Sequence, residues 1–306
     1  MSWLYVSIIA YLLLAIANLG DKLVVSKYLS SPRVYVISVA LLQSMVIFLL
    51  PFFWNWPGWQ NMLLNFMAGG SFVIAIYYFY CALKNGEISR VVPVVDGLVP
   101  IVVLILSSLI LCENFSQRQL LAVIFLIVGG FVLSCKGWER RGSSVSIMEA
   151  ELPRQNLKYI IIAVAAFAVS QIFAKITYNN QPFLSAFIWA RAGGLLAVVP
   201  FLFLAGARKE LKNNFGHKEK ASSSKAVAFT QASGGAGFFL QSYAIKLGNV
   251  GIVVAMQGIK YFFLFVLIAL LSKKFVHLKE DWNRNALIKK VCGAGLIIFG
   301  LMMLAV

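Results

Sequence analysis

The 306-residue chain is 60% hydrophobic and only 12% charged, with a mean hydropathy of +0.84. Water-soluble domains hold about 45–50% apolar and about 25% charged residues, so a soluble globule is excluded and a polytopic membrane protein is indicated. The net charge of +16 would suit a nucleic-acid partner, but its distribution along the chain argues for the membrane and against nucleic acid.

Crossing a hydrocarbon core of roughly 30 Å takes about 20 helical residues. About ten apolar runs of that order follow one another, at residues 3–19, 34–53, 62–83, 91–111, 120–135, 157–178, 183–205, 227–247, 251–271 and 287–306. Each is predicted to be a spanning helix. The alternating runs of about 10 residues that mark a membrane β-barrel do not occur. The first run lacks a basic start and a small-residue cleavage site, so it reads as a retained helix and not as a signal peptide. The longest connections, 136–156 and 206–224, are polar and basic and read as loops. Cys81, Cys112, Cys135 and Cys292 are scattered without CxxC spacing, so buried free thiols are expected and neither a disulfide framework nor a zinc site is supported.

The connections alternate in charge. The first, third, fifth, seventh and ninth, with their flanks, hold 22 of the 27 Lys and Arg. The positive-inside rule places these loops in the cytoplasm and both termini outside, in a plasma membrane. Trp54, Trp56 and Trp59, with Trp3 and Tyr5, then form an aromatic belt at the outer interface.

The two halves of the chain are alike. An offset of 162 places Ala82 on Ala244, Lys84 on Lys246, Gly86 on Gly248, and Val91 and Val92 on Val253 and Val254. An offset of 153 sets Asn18 on Gln171 and Lys22 on Lys175. Five helices per half is an odd number, so two such units insert with opposite orientation. The expected architecture is therefore all-α: a first five-helix repeat at 1–135, a cytoplasmic linker at 136–156 and a second repeat at 157–306.

The stretch 75–133 organises the first half. A membrane-length run ends in Ala82-Leu83-Lys84-Asn85-Gly86; a second run holding Pro93 and Pro100 closes on Glu113; a third returns through Gly129 and Gly130. This order closely resembles the EamA family of the drug/metabolite transporter superfamily, specifically in the first half and more loosely in the second. The resemblance implies a transporter of small metabolites, amino acids, nucleotide sugars or drugs. It also implies a structural or gating role for Glu113. The second half departs here, with Phe275 at the equivalent position, which leaves a symmetric role for Glu113 in doubt.

Charge at bilayer depth costs about 2.5–3.5 kcal/mol at a helix centre, so intramembrane charges are functional candidates. Asp96 falls about two turns into the fourth helix, Arg191 about two turns into the seventh, and Lys260 near the middle of the ninth. By helical rise, Asp96 and Lys260 are separated along the membrane normal by about 8 Å, a gap that a long Lys stem can close. One reading has them paired in one conformation and exchanged for substrate or a proton in another; the other has a fixed pair that locks packing. Gln257, three residues before Lys260, and Tyr261 share that polar face. Gln241, Asn18 and Gln171 are weaker cavity candidates, and the Ser233-to-Gly237 run reads as a close helix contact. Pro93 and Pro100 predict a kink beside a cavity, because freed carbonyls in the membrane need protein or water partners. Ala255 and Phe262 occupy the matching places, so the kink is not predicted to be duplicated. Asp21, Lys22 and Lys175 lie near helix ends and read as interfacial anchors.

His217 and His277 fall in cytoplasmic connections and the carboxylates are dispersed, so the sequence supports no catalytic group, metal site or cofactor. No P-loop or GxGxxG pattern suggests a nucleotide-driven pump. The reading is a secondary transporter working by alternating access, as monomer or homodimer in a lipid bilayer. Its substrate is expected to be a small anionic or zwitterionic metabolite, because the deep charges sum to a positive excess. Proton-coupled efflux of organic cations, and a flippase or enzyme for a lipid-linked substrate, stand as alternatives.

Overall fold

The structure, a computed structural model, describes residues 2–24, 36–37, 40–41, 43–53, 55–85, 88–134, 154–203, 221–271 and 284–305. Among these residues every regular element is helical. Helix α1 spans Ser2–Val24, and α2 is α-helical at 36–37, 40–41 and 43–44 before tightening into a 3-10 helix at Met45–Phe52. Then come α3 (Gly58–Asn85), α4 (Ile88–Ile110), α5 (Gln117–Ser134), α6 (Arg154–Asn180), α7 (Phe183–Phe203) and α8 (Ala221–Leu247). Helix α9 is in two pieces, Val250–Ala255 and Gly258–Leu271, and α10 (Arg284–Ala305) closes the chain. The predicted runs match these ten in order. The connections expected at 136–156 and 206–224 lie mostly outside the described residues, as does Trp54.

Seven of these helices, α1, α3 to α7, and α9 taken through its break, are long and apolar enough to cross a membrane. The outside of the bundle is correspondingly greasy: Phe48, Leu109 and Leu270 are 79%, 72% and 69% exposed. Such a surface is compatible with hydrocarbon and not with water. The chain is a multi-pass membrane protein.

Helices in lipid gain little from the hydrophobic effect against one another, so contact surfaces must fit closely. On α4, Val91, Val95, Val99 and Val103 recur every fourth residue and are buried; on α6, Ile160, Val164, Ala168 and Ile172 do the same. Two ridges of four-residue period belong to the same core cluster, the pattern by which helix ridges fill each other's grooves. Elsewhere α3 lies against α6 and α7, α1 against α8, and α5 against α10. The small-residue run of α8 does meet α1, where a Cβ on Gly237 would stand 3.0 Å from the Ala10 carbonyl oxygen.

Local signals set several ends. Ser116 and Gln119 exchange side-chain and backbone hydrogen bonds of 3.0 and 3.2 Å, a capping box that starts α5. Helix α4 stops where Cys112 takes a left-handed conformation (φ 52°), which lets the Glu113 N–H return to the Ser107 carbonyl at 3.2 Å. Cys81, Cys112 and Cys292 are in no disulfide, but they are not the buried thiols expected: Cys81 is half-buried and Cys112 and Cys292 are exposed, because a bilayer-facing surface accepts a thiol as readily as a core does. Cys135 lies outside the described residues.

One close helix crossing that bears on the break in α9 lies in the second half of α5. A Cβ on Gly258 would sit 2.4 Å from the Leu126 carbonyl oxygen, and one on Gly130 would sit 2.8 Å from the Gly258 Cα. The backbones of α5 and α9 touch there, immediately after the break in α9. Gly258→Ala is expected to lower stability by about 1–3 kcal/mol through overpacking. Gly295→Ala, with nothing within 4 Å of the new methyl, is expected to cost nothing. Thermal unfolding of the two purified variants side by side checks the difference.

Candidate functional site

Asp96 is held at both its ends. Pro100 has no N–H, so the Asp96 carbonyl four residues earlier loses its helical donor. The Gln257 side-chain amide donates to that carbonyl instead. The Asp96 carboxylate meanwhile accepts from the Lys260 ammonium at 3.0 Å and from the Tyr261 hydroxyl, all on the same Oδ2. The pair is mostly but not wholly enclosed, with side-chain exposures of 16% for Lys260 and 20% for Asp96. The axial gap inferred from helical rise is thus closed by the Lys stem. The Lys260 ammonium also lies 5.0 Å from the Tyr261 ring centre, which adds a cation–π contact.

These groups border a small pocket. Pro93, Asp96, Gly97 and Pro100 line it from α4 at helical spacing, on a face separate from the valine ridge; Gln257 and Tyr261 line it from α9, and α5 supplies the third wall. Lys260 reaches Asp96 from beside the pocket.

The helix through both prolines is continuous, and the interruption falls in α9 at Met256 and Gln257. There the hydrogen bonds shorten to three-residue steps: Gln257 N–H to the Val254 carbonyl at 3.1 Å, Ile259 to Met256 at 2.9 Å and Lys260 to Gln257 at 3.1 Å. The Val253 carbonyl, which Gln257 N–H would take in an unbroken helix, accepts the buried Tyr11 hydroxyl at 2.7 Å. Gln241 in turn donates to the Tyr11 oxygen at 3.2 Å. Gln241 therefore supports the break through Tyr11 and does not line the pocket. Tyr11 is not legible as a site residue in the sequence, because one tyrosine in an apolar run carries no periodic signal.

Arg191 is separate from this site in its contacts. It is buried, bonds the Gln43 side-chain oxygen at 2.5 Å, and lies 5.3, 4.8 and 4.4 Å from the ring centres of Phe72, Phe187 and Phe238. Among the described residues no carboxylate pairs with it, and its Nε is buried without a hydrogen-bond partner. Gln171 is half-buried on α6 and Asn18 is exposed on α1; neither lines the pocket.

Lys175 is no interfacial anchor. It is 8% exposed, and its ammonium donates to the carbonyls of Ile245, Lys246 and Gly248 at 2.8, 3.3 and 2.7 Å. Snorkelling loses because the open carbonyls at the end of α8 are nearer than water and match an ammonium better. The side chains of Asp21 and Lys22 lie outside the described residues. Glu113 accepts the Val250 N–H at 3.2 Å, at the first residue of α9.

The fold and this polar seam inside it define a helical membrane protein with a charged, internally paired site. Residues 3–135 match the model of the EamA-like transporter family. A solved crystal structure with 14% identity superposes with a TM-score of 0.66 over 99% of this chain and 96% of its own, which shows a shared fold across both halves. No curated protein matches the sequence.

Removing one member of the pair leaves a mostly enclosed charge without its counter-ion, a loss of roughly 3 kcal/mol for buried pairs. Lys260→Met is therefore expected to unfold at lower temperature than the double variant Asp96→Asn with Lys260→Met, in which no charge is stranded. Thermal unfolding of the wild type, both single variants and the double variant measures this coupling. Equal losses in Lys260→Met and the double variant would mean that the two groups do not act as a pair.

Proposed function

We propose that the protein is a secondary transporter in which two inverted five-helix repeats alternate access to a central site, and that it moves a small anionic or zwitterionic metabolite. The observation that carries this reading is the Asp96–Lys260 pair, standing at a pocket wall directly beside the break in α9. An ion pair, a freed carbonyl and an interrupted helix at one place form a site whose bonds can be exchanged for those of a solute. A fixed packing lock would need none of the pocket and none of the break.

The repeat is supported by boundaries that keep the same offset: α3 ends at Asn85 and α4 begins at Ile88, and 162 residues later α8 ends at Leu247 and α9 begins at Val250. Contacts are exchanged in the same sense, with α3 against α6 in one pairing and α8 against α1 in the other. The divisions proposed are 1–135 and 157–306, joined through 136–156. Basic odd-numbered connections support a cytoplasmic placement of those loops, with both termini outside in a plasma membrane.

The charge preference rests on what is already neutralised. Asp96 has an ammonium and a phenol on it, which leaves little reason for an organic cation to bind there. A carboxylate entering the pocket can draw Lys260 away, and an accompanying ammonium can replace Lys260 on Asp96. Arg191, without a carboxylate partner among the described residues, adds to the positive excess.

A ligand that binds the folded state raises its apparent stability by mass action. Thermal stability of the purified protein is measured across anionic, zwitterionic and cationic metabolites, with Asp96→Asn and Lys260→Met beside the wild type. At one hundred times its dissociation constant, a bound solute is expected to add about 2.7 kcal/mol, and this response is expected to vanish in Lys260→Met. Stabilisation by quaternary cations in preference to anions would overturn the charge preference. A response unchanged in both variants, or stabilisation by lipid alone, would overturn the site and favour a lipid-linked substrate.

A further inference from the structure

The turn joining α8 to α9 is gripped from two sides by charges of opposite sign. Three carbonyls at the end of α8 converge on the Lys175 ammonium, which comes from α6. Two residues beyond Gly248, the Val250 N–H that opens α9 donates to Glu113, which lies just past the end of α4. The negative end of one helix thus receives a cation and the positive end of the next an anion. One Glu113 oxygen is buried without a partner among the described residues.

Carbonyls at a helix terminus form the kind of donor set that holds a small cation. Here the donor set holds an ammonium tethered to another helix. The tether ties α6 to the α8–α9 turn, and Glu113 ties the same turn to α4. On that face the Gly248 backbone is pressed against the Trp3 indole, where a Cβ would stand 2.9 Å from the ring. The pocket beside Asp96 is built instead from the first half of α4 and the second half of α5, toward the other end of both helices.

The geometry points to Lys175 as the resident cation of a carbonyl site, flanked by Glu113, that seals this end of the bundle and that its ammonium must leave when that end opens. This rests on the alternating-access reading for the meaning of the opening, while the cation site itself does not. Lys175 and Glu113 are positioning residues in this scheme and do not touch the solute at Asp96. With the Lys175 stem removed, the site is expected to accept a free primary alkylammonium of matching charge and donor number.

Ser107 reports on the seal, because it is fully buried and a Cβ on Gly251 at the start of α9 would lie 3.1 Å from its hydroxyl. Ser107→Cys is placed in a background with Cys81, Cys112, Cys135 and Cys292 changed to Ser, and its modification by a membrane-impermeant methanethiosulfonate is timed in proteoliposomes. Lys175→Ala is expected to raise the rate at least about tenfold, the factor for losing one charge-assisted hydrogen bond. Ethylammonium is expected to bring the rate back toward the parent value in Lys175→Ala and not in Lys175→Met, whose side chain fills the space. Glu113→Gln keeps an oxygen for Val250 and removes the charge, so a smaller rise of a few-fold is expected; it decides the matter if Lys175→Ala does not fold. A parent-like rate in the folded variants, or ethylammonium acting equally on Lys175→Met, would overturn the proposal. The solute response that depends on Asp96 is measured in the same Lys175→Ala protein. Its persistence beside a faster labelling rate separates a failed seal from a failed solute site.

Discussion

The free carbonyl of Asp96 is the constraint on which the centre of this protein depends. Pro100 removes the donor that a helix would supply, and in a membrane no water stands ready to replace it. Gln257 from α9 takes the place of the missing N–H, which fixes α9 against α4 at one register. Lys260 and Tyr261 then fall on the Asp96 carboxylate because they lie one helical turn beyond Gln257. One proline therefore organises four polar groups on two helices that are far apart in sequence.

The same accounting explains the break in α9. A helix that shortens its hydrogen-bond step at Gln257 leaves the Val253 carbonyl open, and Tyr11 closes it with Gln241 behind. Gly258 comes next, where α5 approaches so closely that only hydrogen fits. Each interruption of backbone bonding is thus answered by a side chain from a different helix. Interruptions met by side chains, and not by the helix itself, are the places where a bundle can rearrange without stranding a polar group.

Charges away from the centre obey the same rule with different partners. Lys175 finds carbonyls, Glu113 finds an N–H, and Arg191 finds a glutamine and three phenylalanine faces. Of the deep groups with described partners, only Asp96 and Lys260 answer each other directly as an ion pair. That difference separates the site from the scaffolding, and it rests on geometry more than on residue type.

Composition and periodicity were enough to determine a membrane bundle, the order of its helices and the three charges at depth, because crossing hydrocarbon demands about 20 apolar residues and penalises every exception. The spacing of Gln257, Lys260 and Tyr261 placed them on one face, and the motif around Gly86, Pro93 and Pro100 pointed to the family whose model matches residues 3–135. The tertiary structure alone decided who meets whom. It put the interruption in α9 and kept the proline-bearing helix continuous, turned Lys175 inward onto α8, recruited Tyr11 and drew Gln241 away from the pocket. Partners for a freed carbonyl come from whichever helix packs nearby, and that neighbour is set by long-range packing, which local sequence does not encode.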